Sequence, residues 1–125
     1  MKEEIITKSG RVWIEDGIIR SKVLIKGDYT LEHAMDDAKA FRRTAEKIEG
    51  RKLLLVEPGN IFNISLKTRL YQAAEGPKIV SKLAMVVDNQ VARVIASFFL
   101  GLSSMAIPTK IFGTADEAVG WLKEN

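Results

Sequence analysis

Two β-prone runs open the chain, Val12-Trp13-Ile14-Glu15 and Ile18 to Lys26, with Asp16-Gly17 between them. A two-residue type I′ turn needs positive φ at both positions, which Asp-Gly tolerates, so the pattern predicts an antiparallel hairpin. Gly27-Asp28-Tyr29 then leads to Thr30, whose hydroxyl suits an N-cap. From there Leu31, Ala34, Met35, Ala38, Phe41, Ala45 and Ile48 recur at helical spacing. Glu32, Asp36, Asp37, Lys39, Arg43, Glu46 and Lys47 fall on the opposite face, and His33 beside it. This is an amphipathic helix of about five turns, closed by Gly50.

Lys52 to Val56 is a continuous apolar run too short for a helix, the signature of a strand covered on both faces in a parallel sheet. Glu57-Pro58-Gly59-Asn60 stops it. After Ile61-Phe62-Asn63-Ile64, Ser65 reads as the N-cap of a second helix with Leu66, Leu70, Ala73 and Ala74 inward, ended by Gly76-Pro77. A second buried run, Leu83 to Val87, stops at Asp88-Asn89. Val91, Val94, Ile95, Phe98, Phe99 and Leu102 then give a third helical stripe, broken at Gly101. Ile107 to Phe112 is a last strand with Pro108 near its start, where a ladder donor can be missing. Thr114-Ala115-Asp116-Glu117 is a capping box for a final helix that buries Ala118, Trp121 and Leu122.

The predicted order is β-β-α-β-α-β-α-β-α, an α/β fold. Its sheet is mixed but mostly parallel, with an N-terminal antiparallel hairpin and helices packed on it. No linker, repeat or low-complexity stretch interrupts it, so residues 1–125 read as one domain.

Composition narrows the function. The 125 residues contain no cysteine and a single histidine, His33. That excludes thiolate nucleophiles, cysteine-bound metals and any scheme needing two imidazoles. The net charge of +3 comes from 19 basic and 16 acidic side chains that are interleaved rather than clustered, as in Asp36-Asp37-Ala38-Lys39. This is a solvated mixed surface rather than a nucleic-acid footprint. No glycine-rich phosphate loop is present and no acidic cluster has calcium-loop spacing, so no cofactor or metal is expected. The acidic N-terminus, MKEEIITKSG, does not read as a signal peptide; with the missing cysteines it points to the cytoplasm.

In open α/β sheets the place to look for a site is the carboxyl ends of the parallel strands. There the sequence puts Glu57, Asn60, Asn63 and Ser65 after one strand and Asp88 after another. The same residue types also serve as turns and helix caps. Residues 94–109 carry no charge at all. The stretch is too short for a bilayer span and is interrupted by Gly101 and Pro108, so no transmembrane segment is expected. It fits a core element, a subunit interface, or the wall of an apolar ligand or lipid site, with Val94, Phe98, Phe99 and Leu102 as the candidates for that interface or wall.

The chain resembles the STAS-like domains, the anti-sigma-factor-antagonist (SpoIIAA-like) type. The element order carries the resemblance over the whole length. So do Leu53 to Leu66, where those domains have a strand, a glycine, an apolar pair and a helix-opening serine, and Ile107 to Ala118, a strand and capped terminal helix. The resemblance is closest to small bacterial members of uncharacterised role. It implies a non-enzymatic protein-interaction or regulatory domain, with a second copy of itself or another protein as partner. In regulatory members the helix-opening serine is phosphorylated and an aspartate precedes it. Ser65 matches the serine, but Ile64 stands where the aspartate would be. The alternative is a module that binds a lipid or apolar small molecule.

Overall fold

The computed structural model describes residues 3–90 and 106–124. The proposed helix at 91–102, and with it Val94, Phe98, Phe99 and Leu102, lies outside the described residues. In chain order the described elements are β1 (Glu4–Ile6), β2 (Gly10–Glu15), β3 (Ile18–Val23), β4 (Lys26–Tyr29) and α1 (Leu31–Ala45). They continue as β5 (Leu53–Glu57), β6 (Asn60–Ile64), α2 (Leu66–Ile79), β7 (Lys82–Val86), β8 (Thr109–Phe112) and α3 (Ala115–Leu122).

The hairpin forms where Asp16-Gly17 predicts it. Both turn residues have positive φ, 57° and 74°, and Glu15 faces Ile18 across the turn. The six-stranded sheet runs β1-β2-β3-β5-β7-β8. Its first three strands pair antiparallel, whereas β3, β5, β7 and β8 pair parallel.

Strand β5 lies inside this sheet, and its run of leucines covers both faces. Leu54 joins Val12, Ile19, Ala40, Ala45 and Val80 on the side of α1. Leu53 and Leu55 join Ile18, Ala84, Ala118 and Leu122 on the side of α3. The period-2 alternation of a strand divides adjacent leucines between two cores. On α3, Thr114 caps as expected: its Oγ1 accepts the Glu117 N–H at 3.3 Å and donates to Glu117 Oε1 at 3.0 Å.

Four expectations are corrected. Residues 4–6 form an edge strand on β2, and β4 and β6 form a separate two-stranded parallel sheet with a register shift at Gly27/Asp28. The β4 sequence KGDY is strand-poor, so its conformation comes from its partner about 35 residues away rather than from local preference. Helix α1 stops at Ala45. The next amides tighten instead, Lys47 N–H donating to the Thr44 carbonyl and Ile48 N–H to the Ala45 carbonyl. Helix α2 continues through Pro77 to Ile79, because Val80 N–H still reaches the Gly76 carbonyl at 3.0 Å and the proline removes only its own bond.

The fourth correction concerns the face α2 buries. Leu66 and Leu70 are 62% and 61% exposed, and Ala74 is exposed as well. The inward line passes through Thr68, which is fully buried, and continues along the helix to Tyr71, Gln72 and Ile79.

Two glycines should separate backbone crowding from helix propensity. The Lys22 carbonyl oxygen lies 1.9 Å from where a Cβ on Gly10 would stand, inside the β2–β3 pairing. Gly120 lies in α3 with nothing within 4 Å of that position. Gly10→Ala should abolish cooperative folding or lower the melting temperature strongly, whereas Gly120→Ala should raise stability by about 0.5–1 kcal/mol, both read by circular-dichroism melts.

Candidate functional site

Asp37 sits on α1, three residues after Ala34 and four before Phe41, at the edge of the apolar stripe rather than on the solvated face where charge alone would put it. It is 2% exposed. Its Oδ2 accepts from Ser9 Oγ at 2.6 Å and from the Tyr29 hydroxyl, and both of those residues are buried too. Ser9 belongs to the turn between β1 and β2, and Tyr29 ends β4. Its neighbour Asp36 accepts the Lys8 backbone N–H at 2.7 Å, so the two adjacent aspartates hold the same turn from both sides.

Burial, and then the negative charge of Asp37, push the Tyr29 hydroxyl far above its ordinary pKa. Tyr29 therefore remains a proton donor to the carboxylate. Among the described residues, Asp37 Oδ1 has no hydrogen-bond partner. A buried carboxylate oxygen without a donor is costly, and it is expected at places where something else supplies one.

That residue lines a cavity of about 350 Å³. Alternate residues of three parallel strands form its floor: Ser21 and Val23 on β3, Leu54 and Val56 on β5, Leu83 and Met85 on β7. Ala34, Asp37, Ala38 and Phe41 of α1 close one side, and Tyr71, Gln72, Gly76 and Ile79 of α2 the other. Ile61, Phe62 and Ile64 of β6 reach it from the small sheet, near the carboxyl ends of β3 and β5. The lining is mainly apolar. Its other polar side chains include Arg69 and Glu75, and Glu75 is engaged by Arg42 at 2.6 Å and Lys78 at 3.1 Å. A wider cleft of about 670 Å³ between β1, β2 and α1 is lined by charged groups such as Glu3 and Lys47, which pair with each other at 2.7 Å. The smaller cavity is the better candidate because its lining is mainly apolar, with Ser21, Tyr29 and Asp37 as buried polar groups in it.

None of the five polar residues singled out from the sequence lines this cavity. Ser65 caps α2, its Oγ accepting the Thr68 N–H at 3.2 Å and lying 2.9 Å from Thr68 Oγ1. Asn63 donates through Nδ2 to Asp28 Oδ1 at 2.9 Å, across the β4–β6 pair. Asn60 opens β6 at the surface, Glu57 ends β5 opposite Lys22, and Asp88 is exposed beyond β7. His33 is engaged at the start of α1, where its Nδ1 accepts the Thr30 N–H at 3.0 Å. Among the described residues no three of His, Asp or Glu cluster as metal ligands would.

This architecture is a SpoIIAA-like fold. A crystal structure of an uncharacterized protein of the DUF3478 family with a SpoIIAA-like fold, from Shewanella loihica PV-4, superimposes with a TM-score of 0.61 at 13% sequence identity. The match covers 98% of this chain and 92% of that one. No curated protein matches. The chain belongs to the family described as Domain of unknown function (DUF7793), whose model matches residues 12–125.

The raised Tyr29 pKa fixes a sign. Folding favours the protonated phenol, so its contribution is fully present below the ordinary value of 10.0 and is lost as pH rises beyond it. Above pH 10 the wild-type chain should lose stability more steeply than Tyr29→Phe, by up to about 1.4 kcal/mol per pH unit, in urea titrations at stepped pH. Lysine titration is common to both proteins and cancels in the difference. Parallel slopes would show that Tyr29 does not carry the effect.

Proposed function

We propose that this chain is a non-enzymatic binding domain, a single domain over residues 1–125, that takes a small apolar molecule into the cavity between its sheet and helices α1 and α2. The observation that carries this reading is the cavity itself, an apolar space of about 350 Å³ containing one buried, half-satisfied carboxylate. Such a volume lies at the small end of the range for ligand sites, and a few convergent polar groups in an apolar wall are their usual composition. At the roughly 30 Å³ that a water molecule occupies in the liquid, the space matches about a dozen non-hydrogen atoms. The absence of cysteine favours a cytoplasmic setting, and no helix among the described residues is long and apolar enough to cross a membrane.

A second observation favours a protein-interaction or regulatory role, with another protein or a second copy as partner. Phe62, Leu66 and Leu70 are 76%, 62% and 61% exposed around the junction of β6 and α2. Exposed apolar side chains gathered on one stretch with a polar rim are a common mark of an interface. Ser65, Asn63, Asn60, Glu57 and Asp88 would supply that rim. If the partner is a second copy, sedimentation should give a dimer that Leu66→Glu with Leu70→Glu converts to a monomer. A monomer at every concentration would remove self-association.

The cavity reading is tested with naphthalene, a neutral probe of suitable size, followed by its fluorescence anisotropy. Binding should be saturable, and Ala38→Phe, which fills the space from α1, should weaken it at least about tenfold while its melting temperature stays level or rises. No binding, or equal binding to the filled and folded variant, would contradict the proposal.

A further inference from the structure

Resting on the reading of the cavity as a ligand site, we propose that its ligand is an apolar amine whose protonated nitrogen donates to Asp37 Oδ1. The two oxygens of this carboxylate are in different situations. Oδ2 already receives the Ser9 and Tyr29 hydroxyls, whereas Oδ1 has no donor among the described residues. Both donors that reach the carboxylate are neutral, so they stabilise the charge without cancelling it. A carboxylate that is 2% exposed and borders an apolar space gains most from a partner that brings both a proton to share and a positive charge.

Competing chemistries are weaker on the same grounds. An alcohol would supply the hydrogen bond but no charge. A carboxylate ligand would meet Asp37 with like charge; Arg69, which also lines the cavity, makes it the competitor to include in the test. Glu75 is engaged by Arg42 and Lys78, which leaves Asp37 as the acidic group for an incoming cation. The cavity volume restricts the amine to a short alkyl chain or a small ring system of about a dozen non-hydrogen atoms.

Isothermal titration of the full chain with octylamine, 1-octanol and octanoate at pH 7 separates these cases. Octylamine should bind at least about tenfold tighter than either of the others, the advantage expected of one charge-assisted hydrogen bond in a buried site. Asp37→Asn should erase that advantage and leave octanol binding within about twofold of wild type. The ranking on the wild-type chain stands by itself if the variant does not fold. Octanol or octanoate binding as tightly as octylamine would overturn the amine assignment and leave the cavity reading intact. Failure of all three, together with naphthalene, would overturn the cavity reading itself.

Discussion

A carboxylate buried on the inner side of α1 ties three separated stretches of the chain together. Asp37 takes hydroxyls from Ser9, 28 residues before it, and from Tyr29, 8 residues before it. Through Ser9 it holds the turn that lets β1 pair with β2, and the Ser9 carbonyl in turn accepts the Leu24 and Ile25 amides beyond β3. Through Tyr29 it holds the end of β4 and so the small β4–β6 sheet. These contacts fasten α1 to the β1–β2 turn and to the end of β4. The hydroxyls lower the cost of burying the charge, but they act on one oxygen only. The structural anchor therefore leaves one buried acceptor, Oδ1, without a donor among the described residues.

The two faces of the six-stranded sheet are built differently. On the α3 side, Leu53, Leu55, Ala84, Ala118 and Leu122 close a small core in which Leu55, Ala84, Ala118 and Leu122 are completely buried. On the α1 and α2 side the strands present residues of similar size, but α1 contributes alanines at 34 and 38 and α2 contributes Gly76. Small side chains on both helices cannot fill the width between helix and sheet, and a cavity remains. The asymmetry leaves one face of the sheet fully packed and the other only partly filled.

Local signals made much of this legible in the sequence. Asp16-Gly17 demands its turn, the leucines of β5 demand cover on both sides, and Thr30, Ser65 and Thr114 cap the helices they precede. The mixed sheet with its opening hairpin follows from these, and the resemblance to SpoIIAA-like domains is matched by the fold. What was not legible depends on partners far along the chain. KGDY becomes a strand because residues 60–64 lie beside it, and Leu66 and Leu70 face outward because Thr68, Tyr71 and Gln72 take the inner line. Asp37 is the clearest case. A charged residue beside Asp36 and Lys39 reads as solvated, and only Ser9 and Tyr29 make its burial tolerable. Its spacing from Ala34 and Phe41 was the available signal, and it was outweighed by the charge.

One face of the sheet is closed, and the other encloses an apolar space bordered by Asp37. Methyl-labelled NMR spectra of the full chain under xenon pressure test it directly, since xenon enters dry apolar cavities without needing a polar contact. Pressure-dependent shifts are expected at the methyl groups of Val23, Leu54, Val56 and Leu83, and none at Ile18, Leu53, Leu55 and Leu122. Shifts confined to the second set, or absent from both, would contradict this arrangement.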